Sequence, residues 1–239
     1  MNEWEKIPES IRAGSQTAEA RTVCPRCNDT GYEMVGPDGK RVPFGTHVPG
    51  QKAARCGCTL AARIASRLPK LYQAAHLKDF HSAAIGRVGE FLRNPRSLGL
   101  LISGPAGAGK THLAAAIARA LIEANFNVLF LEVARVFSEL RERMRSDESE
   151  EALLSRYVEV PFLVLDDLGA GSFSDFERRV LLDLLNRRGN ERRKTIVTSN
   201  LELAELEEHL DERIASRLSA FDRMRATGKD RRAQRGSLT

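Results

Sequence analysis

No stretch of this 239-residue chain approaches the roughly 20 consecutive apolar residues that a membrane-spanning helix needs, so no membrane partner is expected. The start, Met1-Asn2-Glu3-Trp4-Glu5-Lys6, lacks the basic-then-apolar order of a secretory leader, and a cytoplasmic location is the expectation. There is no internal repeat, which excludes solenoid and propeller architectures. Cysteine is missing beyond Cys58, all four lying in the first quarter of the chain. Excess charge is also missing over most of the length. The net charge is +5, and residues 223–239 alone hold six basic residues (Arg223, Arg225, Lys229, Arg231, Arg232, Arg235) against Asp230. A basic end of this kind either contacts a polyanion or stays solvated. Length and an ordinary 42% apolar content fit one α/β domain plus something small.

What the chain does contain is concentrated at residues 104–111. They read Gly104-Pro105-Ala106-Gly107-Ala108-Gly109-Lys110-Thr111, a complete G-x-x-x-x-G-K-[ST] phosphate loop. Its glycines let successive N–H groups curl around a triphosphate without a Cβ in the way. Lys110 reaches the outer phosphates, and the Thr111 hydroxyl sits on Mg²⁺. The expected contacts run from Gly104 through His112. Both flanks agree with this reading. Residues 98–103 form a short apolar run suited to a buried parallel strand, and Leu113, Ile117 and Leu121 recur at helical spacing. The phosphates would therefore face a helix N-terminus. The chain is expected to bind a nucleotide.

From residue 98 onward apolar strand candidates alternate with helices, at 98–103, 128–133, 161–166 and 195–198, with 220–224 as the one candidate for a last strand. This predicts an α/β domain whose parallel sheet is sandwiched by helices, with the acidic, Ser-containing stretch 147–151 read as a loop. The third run closes on Asp166-Asp167, about 55 residues after the loop. Asp166 would hold Mg²⁺ through water and Asp167 would orient the attacking water. Aspartate reaches less far than the glutamate many such enzymes carry at the second position, so slow turnover is expected. Asn200 ends the next strand; its amide either bonds the γ-phosphate or the water, or caps the helix starting at Leu201. Arg213 and Arg217, at i and i+4, share a helix face. That face is either solvated or presents an arginine to a neighbouring subunit's γ-phosphate. In 135–145 an apolar stripe (Val136, Phe137, Leu140, Met144) runs beside Arg141 and Arg145, as core packing or as a nucleic-acid contact. In 169–176, Phe173 and Phe176 either stack bases or pack a helix start capped by Ser174.

Cys24 and Cys27 form one pair and Cys56 and Cys58 a tighter one, with 28 residues between them. A disulfide framework is not expected in a reducing compartment, and two pairs on separate turns suit tetrahedral Zn²⁺. His47 is an alternative ligand or an exposed loop residue. The segment has few large apolar residues, so without metal it has little to fold around. Four sections result: a flexible leader at 1–20, a zinc-binding module at 21–60 with turns at 36–39 and 49–50, a helical linker at 61–97, and the nucleotide domain with its basic tail at 98–239.

Several longer runs are more specific than the loop alone: Gly-Lys-Thr-His-Leu-Ala at 109–114, Leu-Val-Leu-Asp-Asp-Leu-Gly at 163–169, Thr-Ile-Val-Thr-Ser-Asn-Leu at 195–201, Glu-Arg-Ile-Ala-Ser-Arg-Leu at 212–218 and Gly-Lys-Asp-Arg-Arg at 228–232. With these the chain resembles the DnaC/DnaI-type helicase loaders, a branch of the AAA+ ATPases close to the IstB transposition ATPases. The cysteine module, Leu68-Pro69-Lys70-Leu71-Tyr72 and Asp79-Phe80 resemble Gram-positive and phage loaders. The resemblance implies a P-loop AAA+ domain that uses ATP and Mg²⁺ and self-assembles through its ATP sites as an open spiral. It implies a replicative DnaB-type helicase as partner, bound through the N-terminal module and placed on single-stranded DNA. It makes Asn200 the sensor, and Arg213 or Arg217 the arginine acting in trans. It puts Arg141 and Arg145 on an extra initiator-type helix, and Ser174 and Phe176 on a strand-contacting loop. The stretch after Arg217 is short and weakly apolar, so no conventional lid domain is expected. Two other readings stand beside this one: an IstB-like regulator of transposition that binds duplex DNA and a transposase, and an ATP-switched adaptor with little hydrolysis.

Overall fold

The computed structural model describes residues 32–42, 48–55, 60–143 and 150–227. Strands β1 (Tyr32–Val35), β2 (Arg41–Val42) and β3 (Lys52–Arg55) make a small antiparallel sheet in the order β2-β1-β3. The turns expected at 36–39 and 49–50 connect it. The Gly36 N–H reaches the Lys40 carbonyl at 2.8 Å, and Gly39 and Gly50 have φ of 75° and 77°. Cys24, Cys27, Cys56, Cys58 and His47 lie outside the described residues, as does Arg145. Among the described residues no cluster of three His, Cys, Asp or Glu is placed to hold a metal, and no helix is long and apolar enough to cross a membrane.

Before the main sheet come α1 (Leu60–Arg67), two 3₁₀ turns (Lys70–Tyr72 and Leu77–Asp79) and α2 (Ser82–Arg93). The main sheet contains β4 (Gly99–Ser103), β5 (Val128–Glu132), β6 (Phe162–Leu168), β7 (Lys194–Ser199) and β8 (Asp222–Arg225), all parallel, in the order β5-β6-β7-β4-β8. Helices α3 (Lys110–Glu123), α4 (Val133–Arg143), α5 (Glu150–Glu159), α6 (Asp175–Asn190), α7 (Leu203–His209) and α8 (Glu212–Ser219) cover it. Strand alternation separates two cores. Leu100, Ile102, Val164 and Ile196 meet Ile117 and Leu121 of α3 and Phe91 of α2 on one face. Leu101, Leu163, Leu165 and Val197 meet Leu140, Leu184 and Ile214 on the other. Ala114, Ala115 and Ala118 are fully buried and let α3 lie close to the sheet, while each buried Leu or Ile contributes about 1.5–3 kcal/mol.

Two elements differ from their sequence reading. The acidic stretch 147–151 reads as a loop, yet Glu150 and Glu151 open α5. That helix buries Leu154, Tyr157 and Val158, and the two oxygens of Glu151 hold the Arg187 guanidinium at 2.6 and 2.9 Å. Strand β8 starts at Asp222 rather than 220, because the Phe221 N–H still bonds the Leu218 carbonyl at the end of α8.

Two cations fasten the start of β7. Arg188 is fully buried and makes five hydrogen bonds, none to a carboxylate: Nε to the Thr195 hydroxyl, Nη1 to the carbonyls of Tyr157, Val158 and Val160, and Nη2 to the Lys194 carbonyl. Burial, with Arg193 nearby, pushes its pKa down to about 9. Replacing it with alanine leaves those carbonyls unbonded around a cavity, and Arg188→Ala is expected to lower unfolding free energy by about 4 kcal/mol in urea titrations. Lys194 Nζ bonds the carbonyls of Phe91, Asn94 and Ser97, closing the end of α2, and sits 4.7 Å above the Phe91 ring. Burial pushes its pKa down to about 8, from 10.5. Between those values the unfolded chain holds more protons at this position, so its contribution to stability rises as pH increases through the window. Lys194→Met is expected to flatten that slope in melts recorded from pH 7.5 to 10.5.

Candidate nucleotide-binding site

The loop between β4 and α3 curls as its glycines allow. Gly107 and Gly109 have φ of 76° and 91°, and Gly109 is the helix N-cap, with no side chain competing for the first N–H groups of α3. Gly104 meets a second requirement. A Cβ there would lie 2.4 Å from the Ala226 carbonyl oxygen, because the chain leaving β8 presses on the root of the loop. Pro105 and Ala106 are exposed, and Ala108 is half-buried. The His112 ring turns away from the phosphate side and packs edge-on against Tyr72 and Phe80, with Asp79 at 3.8 Å. Only its backbone N–H remains for a phosphate.

Lys110 is buried, and its ammonium donates to the carbonyls of Gly104 and Pro105 at 2.7 and 2.8 Å and to Asn200 Oδ1 at 2.6 Å. The amide nitrogen of Asn200 donates in turn to Asp167 Oδ1 at 3.1 Å. One side chain thus bridges the phosphate-loop lysine and the acid expected to orient water. The strand order makes this unavoidable. β7 lies between β4 and β6, so Asn200, the residue that follows β7, stands between loop and acids.

The acids are presented by a bulge. β6 pairs with β7 at Leu165↔Val197 and again at Leu168↔Ser199, so Asp166 and Asp167 together oppose the single residue Thr198. Asp167 has φ of 63°, a left-handed conformation that re-aims its side chain. Thr198 is 1% exposed; its hydroxyl donates to Asp166 Oδ1 at 2.6 Å and accepts the Asp167 N–H at 2.9 Å. Burial raises the pKa of Asp166, helped by the charges of Asp167 and Glu132, while hydrogen bonds from Thr198 and Thr111 work against it. A desolvated carboxylate beside another, touching the Thr111 hydroxyl, gains from a divalent cation. Thr111 and Asp166, the expected Mg²⁺ ligands, therefore come together, and the donor set fits that ion. Sequence reasoning missed Thr198. Its neighbour Asn200 carried the signal for chemistry, and only the register shows that Thr198 faces both acids.

Arg213 is forked onto Asp211, Nε to Oδ1 and Nη2 to Oδ2, both at 3.1 Å. Arg217 lies one turn on, exposed, beside a cavity of about 160 Å³ with Leu98, Asn186 and Thr195. Leu98 and Thr195 mark the start of their strands, the end away from the phosphate loop. Ser174 caps α6: its hydroxyl accepts the Glu177 N–H and donates to Glu177 Oε2, while Arg141 bonds Glu177 Oε1 at 2.7 Å. Arg141 stays half-exposed, and Phe176 is half-buried beneath the Arg179 guanidinium at 5.2 Å.

Residues 86–227 match the model of the IstB-like ATP binding protein family. The chain belongs to that family. The replicative helicase loader DnaC of Escherichia coli (strain K12) is 34% identical over 119 residues, 49% of each chain. Among solved structures, the DnaC helicase loader superposes with a TM-score of 0.60 at 27% identity, covering 66% of this chain and 100% of that one. DnaI superposes with 0.58 at 31% identity, covering 69% and 94%. The chain spans about half the length of the curated relatives it matches. The likeness to DnaC and DnaI expected from the motifs is present, and the five-stranded parallel sheet flanked by helices is that of AAA+ P-loop domains.

Thr198→Val keeps the shape and removes the hydroxyl. In this IstB-like domain it is expected to raise the Mg²⁺ concentration for half-maximal ATP binding by about tenfold, with Mg²⁺-free binding within about twofold. Thr198→Ser restores the wild-type curve, read by titrating a fluorescent ATP analogue.

Proposed function

We propose that the protein binds ATP–Mg²⁺, hydrolyses it slowly, and uses the two nucleotide states to hold and release a replicative DnaB-type helicase during loading onto single-stranded DNA. The observation that carries this reading is the Lys110–Asn200–Asp167 chain, which joins phosphate contact to the water-orienting acid through one amide. The loop N–H groups from Gly104 to His112, Pro105 having none, receive the phosphates; Lys110 neutralises the outer ones; Thr111 and Asp166 hold Mg²⁺; Asp167 orients water. Arg213 or Arg217 acts on a neighbour's nucleotide, so ATP sites are completed between subunits in an open assembly. Their exposed position on α8 supports this role, and of the two Arg217 is, among the described residues, not committed to a local carboxylate. Similarity to DnaC and DnaI supports the helicase as partner. Arg141, with Arg145, Ser174 and Phe176, is the proposed path for single-stranded DNA, supported by the half-exposed Arg141 and by the Phe176–Arg179 stack. Zn²⁺ on Cys24, Cys27, Cys56 and Cys58 would order the 21–60 module as the helicase-binding part, joined by 61–97 to the ATPase domain in a cytoplasmic protein.

The test is a pull-down of DnaB-type helicase by this chain, with and without ATP and single-stranded DNA. Capture that changes with ATP is expected. Lys110→Ala should lose that change, together with at least about tenfold in ATP affinity, the worth of a charge-assisted contact. Absence of helicase capture under every condition would overturn the loader reading.

A further inference from the structure

An open cleft of about 540 Å³ lies along the outer edge of the main sheet, lined by Arg87 and Arg93 of α2 and Arg223 of β8 over an apolar floor of Phe91, Leu100 and Met224. Two carboxylates, Glu90 and Asp222, the latter accepting the Ser97 hydroxyl at 2.6 Å, stand among the three arginines and leave the cleft with a net positive charge. Arg93 has a prepared seat. Gly89 stands in the middle of α2, where glycine costs about 1 kcal/mol relative to alanine. A Cβ there would be 3.2 Å from Arg93 Nη1 and 3.5 Å from its Cζ, so the glycine makes room for the guanidinium. Strand β8 pairs with β4, and among the described residues its other edge has no strand.

A phosphate backbone is best served by unbroken positive charge. Here carboxylates alternate with arginines over an apolar floor, as at a protein–protein contact. The complementary surface is on the same chain. Glu207 and Glu208 of α7 and Glu212 at the head of α8 are exposed and form no ion pair among the described residues. We propose that the cleft between α2 and β8 receives the acidic α7–α8 corner of a second copy of this chain. The two patches differ, so the contact is head-to-tail and passes from copy to copy, as a ring or an open series, rather than closing as a two-fold dimer. The docked corner is the one that bears Arg213 and Arg217, and the inference rests on the reading that ATP sites are completed between subunits.

A charge swap tests it, with self-association of the full chain followed by sedimentation in ATP–Mg²⁺. Arg87→Glu with Arg93→Glu, and separately Glu207→Lys with Glu208→Lys, should each weaken association at least about tenfold. The fourfold variant should recover to within about threefold of wild type, since each reversed charge again meets its opposite. ATP binding by each variant stays at the wild-type level. Arg87→Ala with Arg93→Ala, which adds no new charge, should weaken association by about threefold and covers any misfolding of the reversal variant. Unchanged association in the arginine variants, or no recovery in the folded fourfold variant, overturns the proposal. So does loss of binding to a labelled single-stranded oligonucleotide that the glutamate swap does not restore, which would make the cleft a nucleic-acid site. Wild-type protein that stays monomeric under every nucleotide condition overturns the shared-site reading itself. Wild-type assembly with intact arginine-variant assembly overturns the docking surface alone.

Discussion

A strand turns successive side chains to opposite faces, and every chemical property of this site depends on β6 breaking that alternation at Asp166 and Asp167. In a regular strand one carboxylate would face the phosphates and the other a core of leucines. The bulge opposite Thr198 places both at the same edge, and the left-handed Asp167 backbone is the local consequence. Such a conformation costs about 1 kcal/mol or more for a non-glycine residue and persists only where the surroundings determine it. Here the Thr198 hydroxyl does so, accepting the Asp167 N–H while donating to Asp166. The same arrangement creates the electrostatic demand of the site, because two neighbouring carboxylates, one desolvated, are relieved by a divalent cation.

If Thr198 and Asn200 are the template for the acids, β7 must not shift, and the far end of that strand is built to prevent it. Arg188 bonds Thr195 and the Lys194 carbonyl while gathering three carbonyls at the end of α5. Lys194 draws together three carbonyls between α2 and β4. Among the described residues neither cation meets a carboxylate directly, and both have lowered pKa values, so each is retained at a desolvation cost and repaid in hydrogen bonds. The strand that carries Thr198 and leads to Asn200 is thus anchored at its start to helices from both faces of the sheet.

The phosphate loop, the acid pair, Asn200 and the alternation of strands and helices were legible in the sequence, because each is a local pattern with a fixed spacing. Thr198 was not, since its role follows from a register shift between strands whose pairing no local pattern encodes. Arg188 was hidden for a related reason: an arginine in the last turn of an amphipathic helix looks solvated until the carbonyls around it are known. For Ser174, two readings stood open, and its hydroxyl is found in the capping box of α6. The acidic start of α5 looks like a loop in the sequence because its helical character comes from packing of Leu154 and Tyr157 rather than from its own first residues.

The nucleotide loop and the arginine-bearing helix pair belong to different parts of the chain, and one carboxylate connects them. Glu202 accepts the Ser103 hydroxyl at 2.9 Å, where β4 becomes the loop, and lies 3.2 Å from Arg225 Nε at the end of β8. Its own N–H bonds Glu205 Oε2 at 2.6 Å, forming the first turn of α7. Asn200, two residues earlier, is bonded to Lys110. Lys110 is therefore bonded to a segment of three residues whose far end starts the α7–α8 pair, and the root of its loop at Gly104 meets the chain that leaves β8. Coupling through such a network needs contiguous contacts with two arrangements. The contacts are present, and they make a short path from the phosphate loop to the first turn of α7 that does not pass through the core of the sheet.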